Sequence, residues 1–446
     1  MPNISTSLLP NNNFRINHVR LFSPLGLMMD LTSELINFTM VETIDDITSG
    51  TIVIQNRTNI TGVLKNLTGQ EKIEISFASG NGNQGGVRTT ISKSFRCNNI
   101  GYVSDCIISS PNSAIKIELV SNFNIVNETN RISKVYDISK SVSDIVTDIA
   151  KTFYPNTPLN VETTGNLNYP LSLQISKPYT VLKNLINLAI SSDFQSSDFR
   201  LFENANGLNF VTTGNLLSEE PKFTFGIPPS GGALSAGTGN FIPITDLDAF
   251  MLADPRHNYG AATFGTNVMT TSVIDKEFDF TYINRTDFDK IRPYMNDKST
   301  LAGNESVVKG QETFNHNVLY SKDSIYSSLA NSEFYRSKTD QNIYDFFGYQ
   351  NQEETGLVAH KANIDVMEKT RLNSKRIMVT AAGWTDLTAG STVYLNMMNI
   401  DNADRNKSAL NTNLSGKWLI TAIKYNLTLT SFNCDYTLIS DSNITG

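Results

Sequence analysis

The sequence predicts an α+β fold rich in β-strands, and three observations support this prediction. Apolar and polar residues alternate with period two through much of residues 15–119, which is the pattern of half-buried strands. Helical spacing of apolar residues is concentrated between residues 136 and 215. Strand signals beginning at Arg376 indicate a small barrel near the end of the chain. Because the chain has 446 residues, two to four domains are expected.

The N-terminal stretch predicts a series of strands. Residues 72–77 place Ile73, Ile75 and Phe77 on one face, and residues 114–119 repeat this alternation. Further strands are predicted at residues 19–22, 37–41 and 51–54.

The middle of the chain predicts a compact α+β unit. Ser141 and Asp144 form a capping-box pattern at the start of a helix over residues 138–153. A second helix is expected to begin near Pro178, because proline is favoured in the first turn. The Asn-Gly pair within residues 204–207 predicts a hairpin turn.

The second half of the chain predicts a linker, scattered strands and then a barrel. The linker is the Gly- and Pro-rich segment 226–243. A helix is predicted over residues 356–372, and residues 285–350 are polar and irregular. The predicted strands of this half are 261–264, 278–282, 376–380, 387–395 and 416–423, with a final hairpin of 425–429 and 434–439.

Composition excludes several classes of protein. The formal charge of −7 and pI near 5.3, without a cluster of Lys and Arg, disfavour nucleic-acid binding through phosphates. Cys97, Cys106 and Cys434 are odd in number and lack CxxC spacing, so reduced buried thiols are expected. Neither a secretory signal nor a membrane-spanning run is present in the sequence, so no membrane insertion is expected.

The sequence predicts no catalytic, cofactor-binding or metal-binding residues, and no cofactor. The four histidines, His18, His257, His316 and His360, are scattered without ligand spacing. Residues 401–404 lack the Gly and the bidentate Glu of a calcium loop. The Gly-rich residues 80–86 lack the following helix of a phosphate loop, so a hairpin loop is expected there. The chain is therefore expected not to be an enzyme.

The carboxylate doublets and the aromatic residues have simple structural explanations. The doublets at 45–46, 219–220 and 353–354 are expected in solvated turns. Trp384 and Trp418 are expected in the core of the barrel. Five tyrosines either anchor a partner or pack a small subdomain: Tyr320, Tyr326, Tyr335, Tyr344 and Tyr349.

The order of these elements resembles that of the baseplate central hub protein of contractile-tailed, T-even-like bacteriophages. Residues 19–22, 36–40 and 50–54 resemble the opening strands of the family, and residues 138–153 resemble its first helix. Residues 354–395, with turns at Gly383 and Gly390, resemble the segment of the family in which a long helix leads back into the strands of the second barrel. Residues 416–420 resemble the strand that closes this barrel. The resemblance covers nearly the whole chain, except 226–243 and 285–350.

This resemblance implies two similar, tail-tube-like β-barrels with an α+β domain between them and an insertion in the second barrel. The implied domains are residues 1–135 (first barrel), 136–225 (α+β), 226–284 (linker and first part of the second barrel), 285–360 (insertion) and 361–446 (helix and remainder of the second barrel).

The resemblance also implies a function that is structural. A homotrimer would form a pseudo-sixfold ring between the hexameric tail tube and the trimeric spike. It would contact other baseplate or wedge proteins and line the channel through which the genomic DNA passes without specific binding. The implied location is the baseplate of the virion, after assembly in the host cytoplasm. Two alternatives are a cell-wall-degrading enzyme carried on the tail and a receptor-binding tail protein.

Overall fold

The computed structural model describes residues 14–56, 69–79, 89–102, 114–166, 170–193, 198–226, 241–251, 295–296, 298–299, 372, 375–397 and 410–444. Several predicted features lie outside these residues: the loop 80–86, the linker residues 227–240, the strands 261–264 and 278–282, all five tyrosines, the segment 401–404, Cys106, three of the histidines, and the helix 356–372 apart from Leu372.

Within the described residues, seven antiparallel strands form the first barrel. They are β1 (Phe14–Phe22), β2 (Met28–Asp30), β3 (Leu35–Thr43), β4 (Asp46–Gln55), β5 (Lys72–Ser79), β6 (Thr89–Tyr102) and β7 (Ala114–Ser121). Their order in the sheet is β3-β4-β7-β6-β5-β1-β2. The predicted alternation in β5 is confirmed, because Ile73, Ile75 and Phe77 are buried.

The sheet of the first barrel curls strongly around its core. Strands β3 and β5 are four positions apart in the strand order. In a flat sheet they would lie about 19 Å apart, at about 4.8 Å per strand. The ring centroids of Phe38 on β3 and Phe77 on β5 are nevertheless only 6.3 Å apart. The two strands therefore face each other across one apolar interior.

The second barrel is a closed ring of six strands. They are β13 (Phe223–Gly226), β14 (Phe241–Met251), β16 (Lys375–Ala382), β17 (Thr392–Asn396), β18 (Gly416–Leu427) and β19 (Phe432–Ser440). They are joined in the order β17-β13-β14-β16-β19-β18, and β17 also pairs with β18, which closes the ring.

Two predicted strand boundaries in this barrel are wrong. The strand expected over residues 387–395 begins only at Thr392, because Gly390 has a φ of +92° and Ser391 N–H donates to Thr388 O (3.0 Å) in a turn. Of the expected separate strand 425–429, residues 425–427 are the end of the 12-residue β18, and residues 428–429 lie beyond it in the turn. Its pairing in the final hairpin is confirmed by the register Tyr425↔Cys434.

An α+β unit lies between the two barrels in the sequence. Its helices are α1 (Asn122–Thr129), α2 (Val142–Phe153), α3 (Pro178–Leu185) and α4 (Thr213–Ser218). Its strands are β8 (Ile132–Tyr136), β9 (Leu159–Val161), β10 (Leu171–Ser176), β11 (Phe199–Asn204) and β12 (Gly207–Thr212). Strands β8 and β10 pair with each other, and β11, β12 and β9 form a second small sheet.

The capping-box, proline and hairpin signals of this unit are confirmed, but the helix predicted over residues 138–153 begins only at Val142, because Ser141 caps it there. Ser141 Oγ accepts from Asp144 N–H (3.0 Å), and the Asp144 carboxylate accepts from Ser141 N–H (3.2 Å). This capping box satisfies backbone donors at the start of α2. Pro178 occupies the first turn of α3, and β11 and β12 pair from Phe199↔Thr212 to Asn204↔Gly207.

The sequence inserted between β14 and β16 touches the rim of the second barrel. Within it, β15 (Lys298–Ser299) pairs with β20 (Ser442–Asn443). Asn296 accepts from Lys417 N–H (2.7 Å) and donates to Lys417 O (3.2 Å). The described part of the insertion is thus fixed to the start of β18.

Candidate functional site: the junction between the barrels

Strand β18 joins the two barrels into one continuous sheet. Its first residues pair with β17 and close the second barrel, from Leu419↔Thr392 to Gly416↔Leu395. Its later residues pair with β3 of the first barrel, from Ala422↔Thr43 to Leu427↔Phe38. A register shift between Ile420 and Ala422 in the pairing with β19 lies where the neighbour changes. The barrels therefore lie side by side and share a wall.

Aromatic rings fill the space between the barrels behind this wall. The ring centroids of Phe77 and Phe432 are 5.4 Å apart, and Tyr425 stacks on Phe432 with centroids at 6.3 Å. Gly383 lies directly against this cluster, since a Cβ there would be 2.5 Å from Cδ1 of Phe432. Because these residues come from both barrels, their burial stabilises the two as one body.

Hydrogen bonds fasten the end of β5 and the start of β6 to the turn before β17. Thr385 N–H donates to Ser79 Oγ (2.9 Å), and the Thr385 hydroxyl donates to Ser79 O (3.1 Å) or Thr89 O (2.6 Å). These groups are buried or nearly so, and buried polar groups are costly to leave unpaired. The turn is therefore held against the first barrel.

A buried glutamate, Glu42, lies at the centre of the junction. Its Oε2 accepts from Tyr425 Oη (3.2 Å) and from Ala389 N–H (3.3 Å), whereas Oε1 has no hydrogen-bond partner within the described part of the chain. Burial raises the pKa of Glu42 to about 7, and the nearby Lys93 opposes the increase. Desolvation disfavours the charged carboxylate.

A buried ion pair connects the α+β unit to the first barrel. Lys93 Nζ on β6 lies 2.9 Å from Glu203 Oε1 on β11, and these side chains are only 11% and 9% exposed. Glu203 Oε2 also accepts from Thr48 N–H (3.3 Å), and Glu203 O accepts from Thr48 Oγ1 (3.2 Å). Three units of the chain thus meet around Glu42 and this ion pair.

Another buried cation, Lys375, lies at the start of β16. Its Nζ donates to Asn413 O (2.7 Å) and Ser442 O (3.0 Å) and lies 5.7 Å from the Trp418 ring centroid. Burial lowers the pKa of Lys375 to about 8. Trp418 is 1% exposed and donates Nε1–H to Leu414 O (3.0 Å), so it belongs to the core as predicted. Trp384 packs on the core at the Phe223 ring (5.4 Å).

The residues that carry reactive chemistry are dispersed in the described part of the chain. Within the described ranges, no group of three or more His, Cys, Asp or Glu residues could hold a metal ion. Cys97 and Cys434 are buried free thiols, and burial raises both pKa values, that of Cys97 to about 12. Thiols of this kind are poor nucleophiles. Among the described helices, none has the length and apolar character needed to cross a membrane.

The solvent face of the shared wall is polar and carries charged side chains of both signs. Asp435 on β19 accepts from Asn426 Nδ2 (3.0 Å) and from Thr380 Oγ1 (2.9 Å), which links three neighbouring strands. Thr39 on β3 lies opposite Asn426 and continues this row into the first barrel. The charged residues on this solvent face include Lys424, Arg376, Asp435, Asp246 and Asp248.

Comparison with known structures finds a similar overall fold. A tail protein of 43 kDa from prophage MuSo2 of Shewanella oneidensis superposes with a TM-score of 0.51, at 10% identity, over 95% of this chain and 98% of that chain. The chain has the fold of a phage tail protein. A tail protein from Neisseria meningitidis MC58 has a TM-score of 0.48 at 10% identity, over 96% of each chain.

A similar sequence supports the same resemblance. The chain is 22% identical over 437 residues to the protein named "Probable baseplate hub protein gp334" of Vibrio phage KVP40, covering 98% of this chain and 96% of that protein. No protein-family model matches the chain. The resemblance to phage baseplate hub proteins that the sequence predicts is confirmed by these similarities, and so is the predicted fold class.

Three buried ionisable residues of this tail fold were not singled out from the sequence. Each occupies an inward-facing position of an alternating strand: Glu42 follows Phe38 and Met40, Lys93 lies between Ile91 and Phe95, and Lys375 precedes Ile377 and Val379. The sequence signal for these residues was therefore a charged side chain at a position where the alternation of the strand places core residues. The contacts themselves join distant segments, which the alternation does not reveal.

Proposed function

We propose that this chain is a structural hub of a phage tail baseplate and that it acts as a homotrimer. The single observation that supports this best is the pairing of β18 with β3, which places two barrels side by side in one sheet. Three copies then present six barrels around an axis. Such a ring matches a sixfold tail tube on one face and a threefold spike on the other.

The polar wall suits a channel through which DNA passes. Proteins that hold DNA gain affinity by neutralising phosphates with Lys and Arg and releasing counterions. The solvent face around Thr39, Asn426 and Asp435 carries few cations, and the formal charge of the whole chain is −7. A wall of this kind lines the channel without retaining the strand.

The implied partners are a second and third copy, the tail tube protein, the spike protein and other baseplate or wedge proteins. The site of action is the baseplate of the virion, after assembly in the host cytoplasm. The similar proteins reported above are named as tail and hub proteins, which agrees with the expectation that the chain is not an enzyme. No observation favours the wall-degrading or receptor-binding alternatives.

The bridging role is tested with the purified chain and the tube and spike proteins of the same phage. We expect one complex that contains all three proteins and sediments faster than either pair. The control omits the hub, and tube and spike should then sediment separately. Binding to neither protein, or to tube and spike only in competition with each other, would contradict the bridging role.

A further inference from the structure

An apolar turn protrudes from the end of the first barrel. We name residues 23–28 (Ser-Pro-Leu-Gly-Leu-Met), which comprise the turn after β1 and the first residue of β2, the apolar knob. Ser23 N–H donates to Leu27 O (2.8 Å), Gly26 N–H donates to Ser23 O (3.0 Å) and Leu27 N–H donates to Ser23 Oγ (3.1 Å). Gly26 has a φ of +84°, which glycine adopts without strain. These bonds fix the shape of the turn.

The knob exposes three large apolar side chains together. Leu25 is 88% exposed, and Leu27 and Met28 are each 55% exposed. Single exposed apolar residues are common, but a cluster on a fixed turn is typical of a contact surface. Because the turn is already ordered by its hydrogen bonds, docking costs little conformational entropy.

The position of the knob in the sheet indicates which partner it meets. Strand β2 ends the strand order, and its outer edge is unpaired within the described residues. The other end of the sheet is closed, because β17 pairs with β18. Among the described strands of this sheet, the open end is therefore the one at β2, and the knob lies there.

We propose that the apolar knob docks on a neighbouring copy of this chain and forms part of the contact between copies in the ring. This inference rests on the proposed trimer. A closed ring uses heterologous contacts, in which one surface of each copy meets a different surface of the next. The open end of the sheet at β2 supplies one such surface, and its edge, unpaired within the described residues, adds backbone donors and acceptors to the apolar side chains.

The size and charge of the knob also favour a protein partner. Three side chains supply only part of the roughly 800 Å² that a specific interface takes from each partner, so the open sheet end must contribute as well. Residues 23–28 contain no Lys or Arg, whereas segments that bind membrane surfaces usually carry them beside the apolar residues. A second copy is therefore the occupant that we infer.

The test measures solution mass by light scattering for the full chain and two variants. The first replaces Leu25, Leu27 and Met28 with serine. The matched control replaces Val135 and Ile138 on the α+β unit with serine; these residues are 66% and 56% exposed. We expect the wild type and the control to have the mass of three chains, and the knob variant to be mostly single chains with at least a tenfold weaker association.

The outcomes separate this inference from the function on which it rests. If the wild type is a single chain, the proposed trimer is wrong. If the wild type and the knob variant are both trimers, only the knob contact is wrong. A knob variant that keeps the trimer but loses the tube or spike would assign the knob to that partner and overturn the inference.

A labelling experiment covers the case in which the serine variant does not fold. Leu25→Cys in a Cys106→Ser background is treated with a polar maleimide, since Cys97 and Cys434 are buried. We expect the trimer to react at least tenfold more slowly at this position than the same variant diluted until it dissociates. Equal rates in the trimer and the dissociated chain would contradict the contact.

Discussion

Replacing Lys93 with methionine is expected to lower the free energy of unfolding by about 3–5 kcal/mol. The substitution leaves the buried Glu203 carboxylate without the ammonium group that lies 2.9 Å away. Removing one partner of a buried ion pair leaves an uncompensated charge in a medium of low polarity. The measurement is chemical denaturation of the wild type and the variant at neutral pH.

Two further variants show whether the buried charge is the cause. Lys93→Met combined with Glu203→Gln removes both charges and retains an acceptor for Thr48 N–H, so we expect it to recover at least half of the lost stability. Lys116→Met breaks the exposed pair with Glu118, whose side chains are 50% and 45% exposed, and should cost less than about 1 kcal/mol. Equal losses for the Lys93 and Lys116 variants would contradict the role of the buried pair.

The variant Glu42→Gln is expected to change how stability depends on pH. The pKa of Glu42 is about 7 in the folded chain, against an ordinary value of 4.5. Between these values the folded state binds more protons than the unfolded state, so the free energy of unfolding falls as the pH rises through this window. At about 1.4 kcal/mol per pKa unit, the wild type loses about 3 kcal/mol from this residue by pH 8.

Glutamine cannot ionise, so the variant escapes this loss. We expect Glu42→Gln to be more stable, relative to the wild type, at pH 8 than at pH 5, with a change in the difference of about 2.5 kcal/mol. Urea denaturation at the two pH values measures it, and the surface variant Glu118→Gln is the control. A stability difference that is the same at both pH values would show that Glu42 is not responsible.

The local sequence pattern correctly predicted those elements that depend on contacts between residues close in the sequence. The capping box at Ser141, the start of α3 at Pro178 and the hairpin of β11 and β12 all form as expected, because each depends on neighbours in the sequence. The alternation of Ile73, Ile75 and Phe77 likewise reports directly on which face is buried.

Two strands were missed or misplaced because their local sequence pattern departs from simple alternation. Strand β6 went unrecognised as a separate strand, since Lys93 interrupts its inward-facing row of Ile91, Phe95 and Cys97. Strand β17 was extended too far, because the apolar Leu387 and Ala389 are buried in a turn and not in a strand.

The junction itself could not be read from local pattern. The pairing of β18 with β3 brings together residues nearly 400 positions apart, such as Tyr425 and Met40. The alternation within a strand shows which face is buried. It does not show whether the neighbouring strand belongs to the same barrel or to the other one. Element order suggested two barrels, but the shared wall and its ionisable interior required the three-dimensional structure.

In the proposed trimer, the two barrels of each chain form one third of a closed ring. Electron microscopy of the purified chain measures this, because class averages show the symmetry and the number of lobes. We expect a ring with threefold symmetry and six lobes of similar size around a central opening. Particles of one chain, or rings with another number of lobes, would contradict it.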